Sequence, residues 1–72
     1  MGPARLFRVR LTDFWARMAK VFGEAYADSF ARDYVVAGLD GRTVAQALAA
    51  GEDTKAVWRA VCEAMEIPAA QR

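Results

Sequence analysis

Ser29 is the one serine of this 72-residue chain, Cys62 its one cysteine, and it has no histidine. A hydroxyl or thiol nucleophile needs a base within hydrogen-bond reach, and the commonest base is missing. Paired carboxylates occur at Glu52–Asp53 and Glu63–Glu66, but at a helix start and on a polar helix face they read as solvated surface acids. Zinc and related metals need three or four His, Cys or acidic donors at short spacings, which the sequence does not offer. The five glycines are scattered at helix ends and form no phosphate-cradling loop. Cys62, beside Val61 and Met65, reads as a small buried hydrophobe rather than a reactive thiol. The chemistry is that of a non-enzyme, with no catalytic residue, no cofactor and no metal.

What remains is binding. Arg5, Arg8 and Arg10 stand in a stretch without acids, so residues 1–10 carry +3 while residues 11–72 carry −2. Such an arm can track a nucleic acid backbone, pack on the domain, or be an addition unrelated to it. Trp15 and Trp58 both fall at the edges of apolar stripes, where an indole N–H can reach solvent or a partner, and a half-exposed Trp is a typical interface anchor. Arg17, Arg32 and Arg59 lie on polar faces and supply rim contacts.

Helices must position these groups. The apolar fraction is 56%, too high for a disordered chain, and 72 residues make one small domain that buries roughly 60% of its unfolded surface. Leu11, Phe14, Trp15, Met18, Val21 and Phe22 recur at helical spacing after Thr12, an N-cap candidate, and Gly23 supplies the stop. Tyr26, Phe30 and Tyr34, widened by Ala27, Ala31 and Val35, form the inner face of a second helix that Gly38 and Asp40–Gly41 terminate. Thr43 and Gln46 match a capping box ahead of Val44, Ala47 and Leu48, and Gly51 closes that short helix. Asp53 caps a fourth, with Val57, Trp58, Val61, Cys62 and Met65 inside and Pro68 as its stop. The expectation is an all-α bundle of four helices at about 12–22, 24–36, 43–50 and 54–66, the third short, with no sheet and a frayed tail at 69–72. No apolar run nears the ~18 residues of a membrane span, the basic start lacks the apolar stretch of a secretory signal, and a lone cysteine fits a reducing cytoplasm.

Residues 43–64 place a short helix, a Gly-containing turn and a longer helix in succession, the parts of a helix-turn-helix. Ala47, Gly51 and Val57 fit its small, turn and apolar positions. Glu52 does not, since that place is usually apolar. Lys55 and Arg59 would face a groove that Ala56 and Ala60 leave room to approach, but Glu63 and Glu66 on the same helix oppose attraction to phosphate.

The segments RLTDFWARM (10–18), FGEAYADSFARD (22–33), GRTVAQAL (41–48) and VWRAVC (57–62) resemble a family of small uncharacterised actinobacterial proteins, a domain of unknown function. The likeness spans about residues 9–68. It implies a compact helical protein of the bacterial cytoplasm with no catalytic residues to carry over, encoded often close to the recombinase gene and its regulator, hence a connection with DNA repair or its control. Members begin with Met in the place of Val9, and valine is what a GTG start codon reads as when translation is assigned upstream. Residues 1–8 are therefore expected to be an extension outside a domain at 9–68. Members also carry an apolar residue near Glu52 and Pro at Thr54, a change that Asp53 offsets by capping the helix. Without the extension residues 9–72 carry −1, which favours a protein partner. The first expectation is thus a non-catalytic module docking on a protein through Trp15, Arg17, Arg32, Trp58 and Arg59. The alternative is a nucleic-acid binder using Arg5, Arg8, Arg10, Lys55 and Arg59.

Overall fold

In the computed structural model, which describes the backbone of residues 2–72 and the side chains of residues 10–72, four helices surround one core. Helix α1 runs Gly2–Phe22, α2 Glu24–Asp33, α3 Val44–Ala49 and α4 Thr54–Ala64. Thr12, expected to cap α1, lies inside it. Ala4, Arg5, Leu6 and Arg8 are good helix formers and Pro3 sits in the first turn, where its missing N–H costs no hydrogen bond, so nothing local stops the helix before Gly2. Gly23, at φ 87°, is the single residue between α1 and α2. Its N–H closes α1 on the Ala19 carbonyl and its carbonyl accepts from Ala27 N, so one left-handed glycine both ends a helix and starts the next.

α2 stops at Asp33, three residues before the expected boundary, and the chain turns extended. Val35–Val36 (β1) pairs antiparallel with Arg42–Thr43 (β2), in the register Val35 to Thr43 and Val36 to Arg42. This two-strand ladder corrects the expectation of no sheet. Two β-branched residues favour extended backbone, yet two positions are too few to show alternation in a sequence. Between the strands a 3-10 turn, Ala37–Leu39, leads into Asp40 and Gly41, whose φ of 58° and 74° bring the chain back. The early end of α2 also changes its buried face. Ala27, Phe30 and Ala31 are buried, but Tyr26, Tyr34 and Val35 are exposed. Positions four apart drift around a 3.6-residue helix, and Tyr34 and Val35 have already left it.

Thr43 caps α3 as its spacing predicts: its Oγ1 accepts from Gln46 N at 3.1 Å, and Gln46 Oε1 accepts from Thr43 N at 2.9 Å. Gly51, at φ 88°, ends α3, with Glu52 N donating to Ala47 O and Gly51 N to Leu48 O, the paired bonds of a Schellman motif. Glu52, the residue that fits a helix-turn-helix poorly, is tied to Arg42 Nη2 at 2.7 Å, so its charge is used across the turn. α4 ends the same way before Pro68 can stop it. Glu66 holds the left-handed place at φ 53°, and Ile67 N donates to Cys62 O. In place of a frayed tail, Ala69–Gln71 form a 3-10 turn, and Arg72 is bonded to Arg17, Trp58, Ile67 and Ala69.

Candidate anion-binding cleft

Positions 10, 13, 14 and 17 of α1, and 55, 58, 59 and 62 of α4, each follow helical spacing, so each helix turns one face toward the other. The faces meet through Phe14 and Trp58, whose rings stand edge to face, centroids 6.1 Å apart at 88°. Around this seam opens a cleft of about 370 Å³ lined by Arg10, Asp13, Arg17, Thr54, Lys55, Arg59, Cys62 and Arg72 besides the two rings. Among the described side chains, five cationic ones against one acidic one give this lining +4, while the other three cationic and eight acidic side chains of residues 10–72 leave −5 elsewhere.

The cations are held differently. Arg17 is fixed at both ends: Nε donates to Asp13 Oδ2 at 3.3 Å and Nη1 to the main-chain oxygen of Arg72 at 2.7 Å. That oxygen also accepts from Trp58 Nε1 at 3.4 Å, while Arg72 Nε donates to Ile67 O at 2.9 Å. The tail therefore bridges α1 and α4 and adds its own guanidinium to the cleft. The charged heads of Arg10, Lys55 and Arg59 have no hydrogen-bond or ion-pair partner among the described residues. Burial pushes the Cys62 thiol above its ordinary pKa, the charges of Arg72 and Arg17 pull it back, and Glu63 adds to the rise. The thiol is buried and protonated at neutral pH, which is the inert form.

The residues expected to dock a protein do not share one surface. Trp58 is 8% exposed and belongs to the core, contrary to its expected role as an anchor. Its stripe-edge place is covered by the tail, which no helical periodicity could reveal. Trp15 is half-buried, edge to face with Phe14 at 5.4 Å, and lines a separate groove between α1 and α2 with Glu24, Ala27 and Asp28. Arg32 pairs with Asp28 at 3.3 Å on the outside of α2. Arg17, Trp58 and Arg59 of that set line the cleft, and Trp15 and Arg32 do not.

The nucleic-acid set fares otherwise. Arg10, Lys55 and Arg59 converge, although Arg10 lies 45 positions before Lys55 in sequence. Arg5 and Arg8 lie outside the residues whose side chains are described. One detail of the groove-reading face is corrected: Ala60 is covered by the 3-10 turn, where a Cβ on Gly38 would stand 3.1 Å from its own. Ala56 remains exposed. Arg72 was missed in the sequence because a tail after Pro68 carries no periodic pattern. Arg17 was read there as a rim contact for protein because its partner, the Arg72 main-chain oxygen, is 55 residues away.

The family described as "Protein of unknown function (DUF3046)" matches residues 9–70. The chain belongs to this family. No curated protein and no solved structure matches it. The family therefore assigns no activity to the cleft, and its chemistry is the guide to what it does. Among the described residues no group of three His, Cys, Asp or Glu comes together that could hold a metal ion, and no helix is long and apolar enough to cross a membrane.

Proposed function

We propose that this member of the DUF3046 family is a non-catalytic nucleic-acid-binding module that holds backbone phosphates in the α1–α4 cleft. One observation carries the reading: among the described side chains, five cationic ones line the cleft against one acidic one, and the charged heads of three of them have no partner among the described residues. Cations gathered in a concave, partly apolar site concentrate their field on an anion far more than the same charges spread over a surface. The lone thiol is buried and Ser29 is exposed on α2 with no imidazole in the chain, which supports binding rather than catalysis. An unpaired thiol accords with a reducing cytoplasm. Contact with DNA accords with the connection to repair that the family resemblance implies.

Fluorescence anisotropy of a labelled duplex, titrated with the full chain at several salt concentrations, tests this. Three neutralised phosphates predict a slope of log affinity on log salt of about −2.7, a loss of roughly forty-fold between 50 and 200 mM. Arg59→Ala and Lys55→Ala should each flatten that slope by about 0.9 and shift stability by less than about 0.5 kcal/mol, since both side chains are exposed and unpaired. A duplex that does not bind at low salt would sink the reading.

A second reading, docking on a protein partner, draws on Tyr26, Tyr34 and Val35, large apolar side chains left on the surface, with Trp15 half-buried beside α2. Aromatic residues in such places anchor interfaces. The same titration separates the two, because a chain that binds no nucleic acid leaves this one standing.

A further inference from the structure

We propose that a second surface, the groove between α1 and α2, docks a basic amphipathic helix of a partner protein that sets two cations, one turn apart, against Glu24 and Asp28. The groove is separate from the α1–α4 cleft, so the inference holds whatever the cleft binds. Of the residues that suggest protein docking above, it uses Trp15 alone. α1 turns Phe14 and Met18 into the core, and α2 turns in Phe30 and Ala31. On the flank that these leave, Trp15, Ala16 and Ala19 of α1 and Glu24, Ala27 and Asp28 of α2 line an open groove of about 460 Å³. Its depth comes from residue type. Three alanines make the floor, so a third helix can come close to both axes.

Charge selects the occupant. Among the described side chains, the lining carries two carboxylates and no cation. Glu24 has no hydrogen bond or ion pair among the described residues. Asp28 is shared with Arg32 at 3.3 Å, but the two side chains are 66% and 65% exposed, and so open a pair holds weakly enough to exchange partners. The acids stand four apart on α2, one above the other along the groove wall. Lysines or arginines three or four apart on a helix laid in the groove repeat that spacing. Trp15 forms the facing wall, half-buried and held edge to face against Phe14 at 5.4 Å. An indole fixed beside carboxylates draws a cation to its ring as well as to the acids. The apolar floor then takes the small or aliphatic side chains between the cations, the arrangement by which an amphipathic helix fills a groove. A second copy of this chain fits less well, because a symmetric contact of groove on groove would bring four carboxylates together.

The probe is a labelled helical peptide of about 15 residues, built of alanine, leucine and glutamine with two lysines one turn apart beside its apolar face. A twin carries glutamate in place of both lysines. Anisotropy of each is followed as the full chain is added. The lysine peptide should bind about tenfold more tightly than its twin, or better. Glu24→Gln and Asp28→Asn should each weaken it by about two- to fivefold, the range of an ion pair at a surface. Ala16→Leu fills the floor of the groove from an exposed position with a good helix former. That change should weaken the lysine peptide by about tenfold or more, with far-UV circular dichroism and the thermal midpoint unmoved. A twin that binds as well would overturn the inference, as would a lysine peptide undisturbed by Ala16→Leu or the failure of both peptides to bind. Ala16 lies outside the cleft, so the Ala16→Leu chain should bind duplex as the unsubstituted chain does. Peptide binding of the expected pattern by a chain that binds no duplex would sink the nucleic-acid reading and support this one.

Discussion

Asp40 and Glu66 are the non-glycine residues with positive φ among the described residues, and they are not equivalent. An aspartate tolerates the left-handed region because its short side chain can bond locally, and it stands here in a turn beside Gly41. A glutamate has no such compensation, yet Glu66 occupies the position that closes α4, where the chain must reverse for Ile67 to bury. Relief of the steric penalty outweighs the entropy that glycine adds to the unfolded chain. Glu66→Gly should therefore stabilise the protein by about 0.5–1 kcal/mol, raising the thermal midpoint by a few degrees, whereas Asp40→Gly should change it little. Paired thermal melts check both. Residue types alone marked Gly23, Gly51 and the Thr43–Gln46 box, because each answers a requirement of the backbone around it. They could not mark Glu66, whose conformation is imposed by what Ile67 must reach.

Gly38 shows the same dependence between elements. It sits in the 3-10 turn, and an added Cβ would meet the Ala60 Cβ at 3.1 Å and the Ala60 Cα at 3.7 Å. Neither α4 nor the turn can yield freely, since α4 is anchored by Val57, Trp58 and Val61 and the turn by buried Leu39. Gly38→Ala should cost about 1–2 kcal/mol through overpacking, read as a lowered midpoint in urea with an unchanged slope. The four helices were legible from spacing and caps, and α3 and α4 begin at their predicted caps, Thr43 and Asp53. Three ends went astray. α1 has no local stop before Gly2, α2 yields to a ladder whose second strand lies seven residues on, and α4 ends at Ala64, two residues before the expected boundary, with Glu66 rather than Pro68 turning the chain. The ends of α2 and α4 are set by residues beyond the helix, Arg42–Thr43 and Ile67, and periodicity within the segment carries no trace of them.

For the whole molecule, Trp58 is where stability and site coincide. Its ring packs on Phe14, its N–H holds the tail, and its edge underlies the cleft. Truncating a buried Trp costs about 3–5 kcal/mol, as much as the core of so small a domain supplies. Trp58→Ala should accordingly lose most helical signal in far-UV circular dichroism, rather than keep its fold as an exposed anchor would. Composition, periodicity and caps determined a mainly helical framework and the identity of most core residues, because these depend on residue type and on spacing along one helix. They also showed a net charge near zero, which pointed away from anions. Only the tertiary structure decided where the charges go: it brings Arg10, Arg17, Lys55, Arg59 and Arg72 to one cleft and leaves most acids outside it. Net charge is a sum and is blind to position, whereas an electric field depends on distance, and distances between helices exist only once the chain has packed.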